Sequence, residues 1–200
     1  MSRTLAACYA RSVMADPARK RATYQDVIDA PPHMVAEVLF GTLYTNPRPA
    51  APHARTASVL GMDLGGPFDR GRGGPGGWVL LDEPELHLGD DIVVPDLAGW
   101  HKERFERPST AYFTVHPDFV CEVLSRSTEK IDRADKMTIY AREGVTHAWL
   151  VDPVARTLEV YRLQGTDWLR VGVFRDDAKV RAEPFDAIEL ELDALWLAEP

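Results

Sequence analysis

Apolar runs in this chain are short, and polar or glycine-rich stretches separate them, which is a pattern of strands more than of long helices. Residues 23–30 read as a short helix ended by Pro31-Pro32. Residues 35–46 alternate around Phe40-Gly41 as a hairpin does, with Val35, Glu37 and Leu39 on one face. A helix is predicted behind Pro52 over residues 53–64, then a mobile loop over 65–77, where glycines are dense. Strands are predicted at 78–82, 92–97 and 119–124. The polar stretch Ser125-Arg126-Ser127-Thr128, with Thr128 as N-cap, then opens a helix that meets no Pro or Gly before Gly144. Residues 147–151, 157–163 and 168–174 predict three more strands, the last two a hairpin across Gln164-Gly165, and 190–197 closes as a short helix or strand. This order predicts an α/β fold with a mixed central sheet flanked by helices.

Two acids break the apolar pattern. Asp96 follows Ile92-Val93-Val94-Pro95, and Glu122 lies within Phe119-Val120-Cys121-Glu122-Val123-Leu124. Burying a carboxylate among such residues costs several kcal/mol, of order 2–7 for a polar group and more for a charge, unless a cation or strong donors compensate. A divalent metal between the two acids is one solution; the other is Asp96 beginning a loop and capping backbone amides while Glu122 pairs structurally with Arg126 or Lys136. Lys136 stands two turns into the predicted helix, with Asp132 at i−4 and Tyr140 at i+4 on the same stripe. Replacing Lys136 by Met on such a helix is expected to spare the fold.

Pro95-Asp96, the stretch from Glu122 through Thr128, Asp132, Lys136, Tyr140, Gly144-Val145 and Ala148-Trp149-Leu150-Val151-Asp152-Pro153 follow one another in an order that resembles the bacterial Uma-type family of "putative restriction endonucleases", within the PD-(D/E)XK nuclease superfamily. The resemblance runs from about Thr23 to Trp196 and includes Ala36-Glu37-Val38-Leu39-Phe40-Gly41 and Pro52-His53. It implies a restriction-endonuclease-like core, and a metal-dependent DNA endonuclease using Mg²⁺ or Mn²⁺, with Asp96, Glu122 and the carbonyl of Val123 as ligands. The superfamily lysine usually stands two residues after the second acid, and that position here is Leu124. Lys136 resembles a migrated version of it, steering water and stabilising charge on the phosphate. Glu37 matches a family acid and is either a further ligand, an orienting group or a solvated hairpin acid. His53 is either a phosphate or supporting contact, or a cap. The alternative function is a catalytically inactive nucleic-acid-binding or assembly protein that keeps the nuclease fold.

Composition adds little against this. Two hundred residues with 45% hydrophobic content suit one domain over residues 23–200, preceded by a poorly ordered N-terminal extension over 1–22. No run approaches the roughly 18 apolar residues of a membrane span. Cys8 and Cys121 suggest no disulfide framework, so a reducing cytoplasm is expected. The net charge of −8 opposes binding to nucleic acid, yet residues 151–200 hold 11 acidic and 6 basic residues, whereas 100–142 hold 7 and 8. Lys102, Arg104, Arg126, Lys130 and Arg133 are therefore expected near the site. Glu85 and His87 form only a weak zinc pattern, and solvated acids are the better expectation there. A homodimer is the expected assembly, because paired sites about a two-fold axis match the two antiparallel strands of DNA.

Overall fold

The computed structural model describes residues 20–197. Most of the expected extension, with Cys8, lies outside the described residues. Helix α1 (Tyr24–Ile28) opens at Thr23, whose backbone N–H and hydroxyl both donate to Asp26 Oδ2, at 2.7 and 2.8 Å. The expected hairpin follows as β1 (Met34–Leu39) and β2 (Thr42–Pro47). Phe40 and Gly41 form its tight turn with φ of 51° and 77°, the left-handed pair that matches strand twist.

Helix α2 (Ala51–Leu64) carries Pro52 in its first turn and buries Val59, Leu60 and Leu64. The chain then departs from the expected mobile loop. A π-helical turn, Gly65–Asp69, prolongs α2 and buries Phe68 against Phe185, with ring centroids 4.6 Å apart. Asp69 accepts the Leu80 N–H at 3.0 Å, and Lys102 donates to the Asp69 carbonyl at 2.7 Å. One aromatic anchor and these bonds hold the first part of a segment whose glycines suggested mobility.

Ten further strands follow: β3 (Trp78–Asp82), β4 (Leu86–Leu88), β5 (Asp91–Val93), β6 (Leu97–His101), β7 (Phe119–Val123), β8 (His147–Asp152), β9 (Thr157–Gln164), β10 (Asp167–Arg175), β11 (Lys179–Val180) and β12 (Leu190–Glu191). Between β7 and β8 run α3 (Glu129–Ile131), a π-helical segment Asp132–Lys136 and α4 (Met137–Glu143), end to end, closed by Gly144 at φ 83°. Leu192–Leu195 is a 3₁₀ turn, so the chain end is strand and then helix.

The larger sheet has the order β10-β9-β8-β7-β6-β3 and is mixed, with β7 and β8 parallel and the other neighbours antiparallel. A four-stranded antiparallel sheet, β2-β1-β5-β4, stands beside it. The expected strand over 92–97 is thus two strands in different sheets. Pro95, which has no N–H to give a ladder, separates them, and Asp96 sits at the crossing.

Alternation along β7 and β8 makes two cores. Phe119, Cys121, Val123, Trp149 and Val151 face α2, Phe185 and the C-terminal turn. Val120, Leu124, Ala148 and Leu150 face Met137, Ile139 and Tyr140 of α4, with Leu39 and Val93 of the smaller sheet. Cys121 is a buried core residue on the opposite side from Glu122, as alternation predicts. Among the described residues no helix is long and apolar enough to cross a membrane.

Candidate functional site

The ends of four elements meet where β7 finishes. β6 runs antiparallel to β7, with Leu97 opposite Cys121, so the start of one strand lies beside the end of the other. That register sets Asp96 next to Val123, whose N–H donates to Asp96 Oδ2 at 2.7 Å. His53, in the first turn of α2, places Nε2 3.2 Å from Asp96 Oδ1. Glu37 comes from β1 of the other sheet, fixed by the Val94 N–H at 2.8 Å.

Lys136 projects from the π-helical segment into this group and is only 2% exposed. Its ammonium lies 2.8 Å from Glu122 Oε2, 3.1 Å from Glu37 Oε1, 3.1 Å from the Val94 carbonyl and 3.8 Å from Asp132 Oδ1. Two of these, to Glu122 Oε2 and to the Val94 carbonyl, are hydrogen bonds donated by the ammonium, and those to Glu37 and Asp132 are ion pairs. Tyr140, one turn on, donates its hydroxyl to Glu122 Oε1 at 2.5 Å, so both oxygens of Glu122 have donors. A π turn inserted in an α-helix is a frequent feature of functional sites, and here both its end residues, Asp132 and Lys136, are buried.

The charge balance is uneven. Glu37, Asp96, Glu122 and Asp132 surround one ammonium. Burial pushes the Glu122 carboxyl well up, Lys136 pulls it back, and the neighbouring Asp132, Asp96 and Glu37 charges raise it further. Burial likewise lifts Asp132 to about 6. For Lys136 burial opposes the charge, but Glu122 and Glu37 outweigh it and hold the ammonium protonated. Burial lowers His53, while the hydrogen bond to Asp96 and its charge raise it to a net upward shift. His53 Nδ1 is buried and has no hydrogen-bond partner among the described residues.

These side chains border an open cleft of about 200 Å³, also bounded by Asn46, Arg48, Glu83, Ser125 and Thr128. Asp96, Glu122, Lys136, Glu37, Val123 and His53 are therefore brought together. Of the expected cations, Lys102, Arg104 and Arg133 are not. Lys102 and Arg104 lie beyond the far end of β6, Arg104 paired with Asp118 and 3.1 Å from His116 Nε2. Arg133 is paired with Glu129 and Glu159. Glu85 and His87 bond each other at 2.8 Å, with His87 stacked on Tyr112, and do not border the cleft. Sequence reasoning gave no role to Asp132, Tyr140 or Arg48, although the four-residue spacing about Lys136 had marked the first two.

A cation would find a partial ligand set here. Among the described residues no three His, Cys, Asp or Glu side chains are placed to hold a metal by themselves. Two carboxylates, a carbonyl and water nevertheless suit Mg²⁺, which keeps several waters, and the excess of buried negative charge is what a divalent ion offsets.

A mixed sheet between helices, gathering buried acids and a lysine at one strand end, is the architecture of a nuclease-type α/β fold. The model of the Uma2 family, described as "Putative restriction endonuclease", matches residues 21–194, and the chain belongs to that family. The fold is shared with the crystal structure of a protein from Anabaena variabilis described as "a putative nuclease belonging to DUF820", at 23% identity and a TM-score of 0.72, covering 87% of this chain and 97% of that one. No curated protein matches the sequence.

Proposed function

We propose that this protein is a DNA endonuclease that depends on Mg²⁺ or Mn²⁺ and hydrolyses phosphodiester bonds at the end of β7. The carrying observation is the convergence of Asp96, Glu122 and Lys136 from two adjacent strands and the following helix, with Lys136 Nζ 2.8 Å from Glu122. Asp96, Glu122 and the Val123 carbonyl would hold the ion. When bound, such an ion supplies Lewis-acid polarisation of a phosphoryl oxygen and lowers the pKa of water.

The chain's own groups do the positioning. The Val123 N–H fixes Asp96, and Tyr140 with Lys136 fixes Glu122. Held by Glu122, the Val94 carbonyl and Glu37, Lys136 acts as a fixed positive charge toward the phosphate. Glu37 accepts from the Val94 N–H and pairs with the Lys136 ammonium, so its role is to aim the lysine. His53 borders the cleft beside Asp96, where it would support that carboxylate or contact a phosphate.

Supercoiled and linear DNA incubated with clean protein and Mg²⁺ or Mn²⁺ tests the reading: metal-dependent nicking is expected, and none across several substrates would sink it. A catalytically silent nucleic-acid-binding or assembly protein is the second reading, favoured by Leu124 in the usual lysine position. It predicts DNA retention without cleavage. We also read residues 23–200 as one domain acting as a homodimer in the cytoplasm, with 1–22 appended. Light scattering that returns a monomer at micromolar concentration would remove the dimer.

A further inference from the structure

Resting on the nuclease reading above, we infer that Arg48 grips the phosphate adjoining the scissile one, so that the cleft takes a polynucleotide strand by its backbone in preference to an isolated phosphodiester. The cleft itself repels a polyanion, since Glu37, Glu83, Asp96, Glu122 and Asp132 all border it. Lys136 does not offset this at the mouth, being 2% exposed and spent on interior acids. A strand carrying a negative charge at every residue therefore needs positive charge at the rim.

Arg48 supplies it. Its side chain borders the cleft, is exposed, and makes no hydrogen bond or ion pair among the described residues. That sets it apart from Arg104, Arg133, Arg142 and Arg162, each of which is paired with a carboxylate. Pro47 and Pro49 flank it and border the cleft as well. A residue before proline is confined to extended backbone, and proline fixes its own φ, so the short link from β2 to α2 fixes the backbone from which Arg48 projects at the mouth, and its unpaired side chain is free to reach a phosphate. The first turn of α2, which follows, carries no acid that would neutralise it. A guanidinium presents a planar fork that fits two phosphate oxygens, which a point charge does not.

The test compares two substrates with Mn²⁺: a 20-nucleotide DNA and bis(4-nitrophenyl) phosphate, which has no neighbouring phosphate. Arg48→Ala is expected to raise the KM for the oligonucleotide about tenfold, the scale of one lost charged contact, and to cost at least five times more in kcat/KM on the oligonucleotide than on the small diester. Arg48→Lys should recover part of the loss. Fluorescence titration of the labelled oligonucleotide in Ca²⁺ should show the slope of log K against log salt reduced by about 0.7–0.9 in Arg48→Ala. Equal losses on both substrates, or no change in the salt slope, would overturn the inference. If the parent cleaves neither substrate the nuclease reading fails instead, and the salt slope still decides whether Arg48 contacts a phosphate.

Discussion

Lys136 Nζ lies 2.8 Å from Glu122 Oε2, and each residue is only 2% exposed. The sequence places Lys136 on a helix where Met is expected to spare the fold. The observed burial revises that expectation, because Lys136→Met would leave Glu122 and Glu37 without their cation. Breaking a buried pair from one side costs about 3–5 kcal/mol, reduced here because Glu122 takes up a proton more readily than an ordinary acid. Urea denaturation should therefore show a clear loss at pH 8 that shrinks as pH falls and Glu122 protonates. Cleavage should drop by about 10² or more, as when a fixed stabilising charge is removed. Parent-like stability together with parent-like cleavage would show that the contact does not matter.

Tyr140→Phe isolates the other donor to Glu122. The ring packs in the second core and stays, while the hydroxyl at 2.5 Å is lost. A net loss of about 1.5–3 kcal/mol is expected, the range for a hydrogen bond to a charged group. If Tyr140 positions Glu122 for an ion, calorimetric titration should also show weaker Mn²⁺ binding. Unchanged Mn²⁺ affinity alongside lowered stability would confine the Tyr140 hydroxyl to a structural hydrogen bond.

Asp96→Asn keeps an oxygen for the Val123 N–H and removes the charge facing His53. The fold should survive with a change of about 1 kcal/mol, since one neutral acceptor replaces a charged one. Mn²⁺ binding should vanish, and Glu122→Gln should abolish it too. If both variants take up Mn²⁺ like the parent, the ion binds elsewhere.

Much of this site was legible because its chemistry is carried by residues that violate their surroundings. Asp96 and Glu122 are acids among Val, Leu and Phe, and Lys136 shares a stripe with Asp132 and Tyr140. The strands at 78–82 and 119–123 and the hairpin at Phe40-Gly41 followed from period and turn chemistry. Three things did not follow. The break at Val94-Pro95 looked like the middle of one apolar run, because two strands in different sheets abut there. Phe68 was lost among glycines, although tertiary contact with Phe185 decides its segment. Lys102 and Arg104 are close to Asp96 in sequence, but a strand separates them from it in space, a distance that charge counting along the chain does not see.

Asp132 gives the sharpest pH prediction. Its carboxyl is raised from 3.8 to about 6, chiefly by burial, with Lys136 and the Thr128 hydroxyl opposing and the Glu37 and Asp96 charges adding. The folded protein thus holds this proton more tightly than the unfolded chain. The sign follows: the group costs nothing below about pH 4, its cost grows as pH rises toward 6, and above that it reaches about 3 kcal/mol at 1.36 kcal/mol per pH unit. Asp132→Asn removes the ionisation while keeping an acceptor for Thr128. Its melting temperature should exceed the parent's at pH 8, and the gain should fade through pH 6 and disappear near pH 4. A gain equal at pH 5 and pH 8 would mean that relief of charge is not its source. With the Asp132 charge gone from beside Glu122, whose carboxyl it raises, the same variant should also shift the acid limb of any cleavage profile to lower pH, and an unmoved limb would assign that limb to another group.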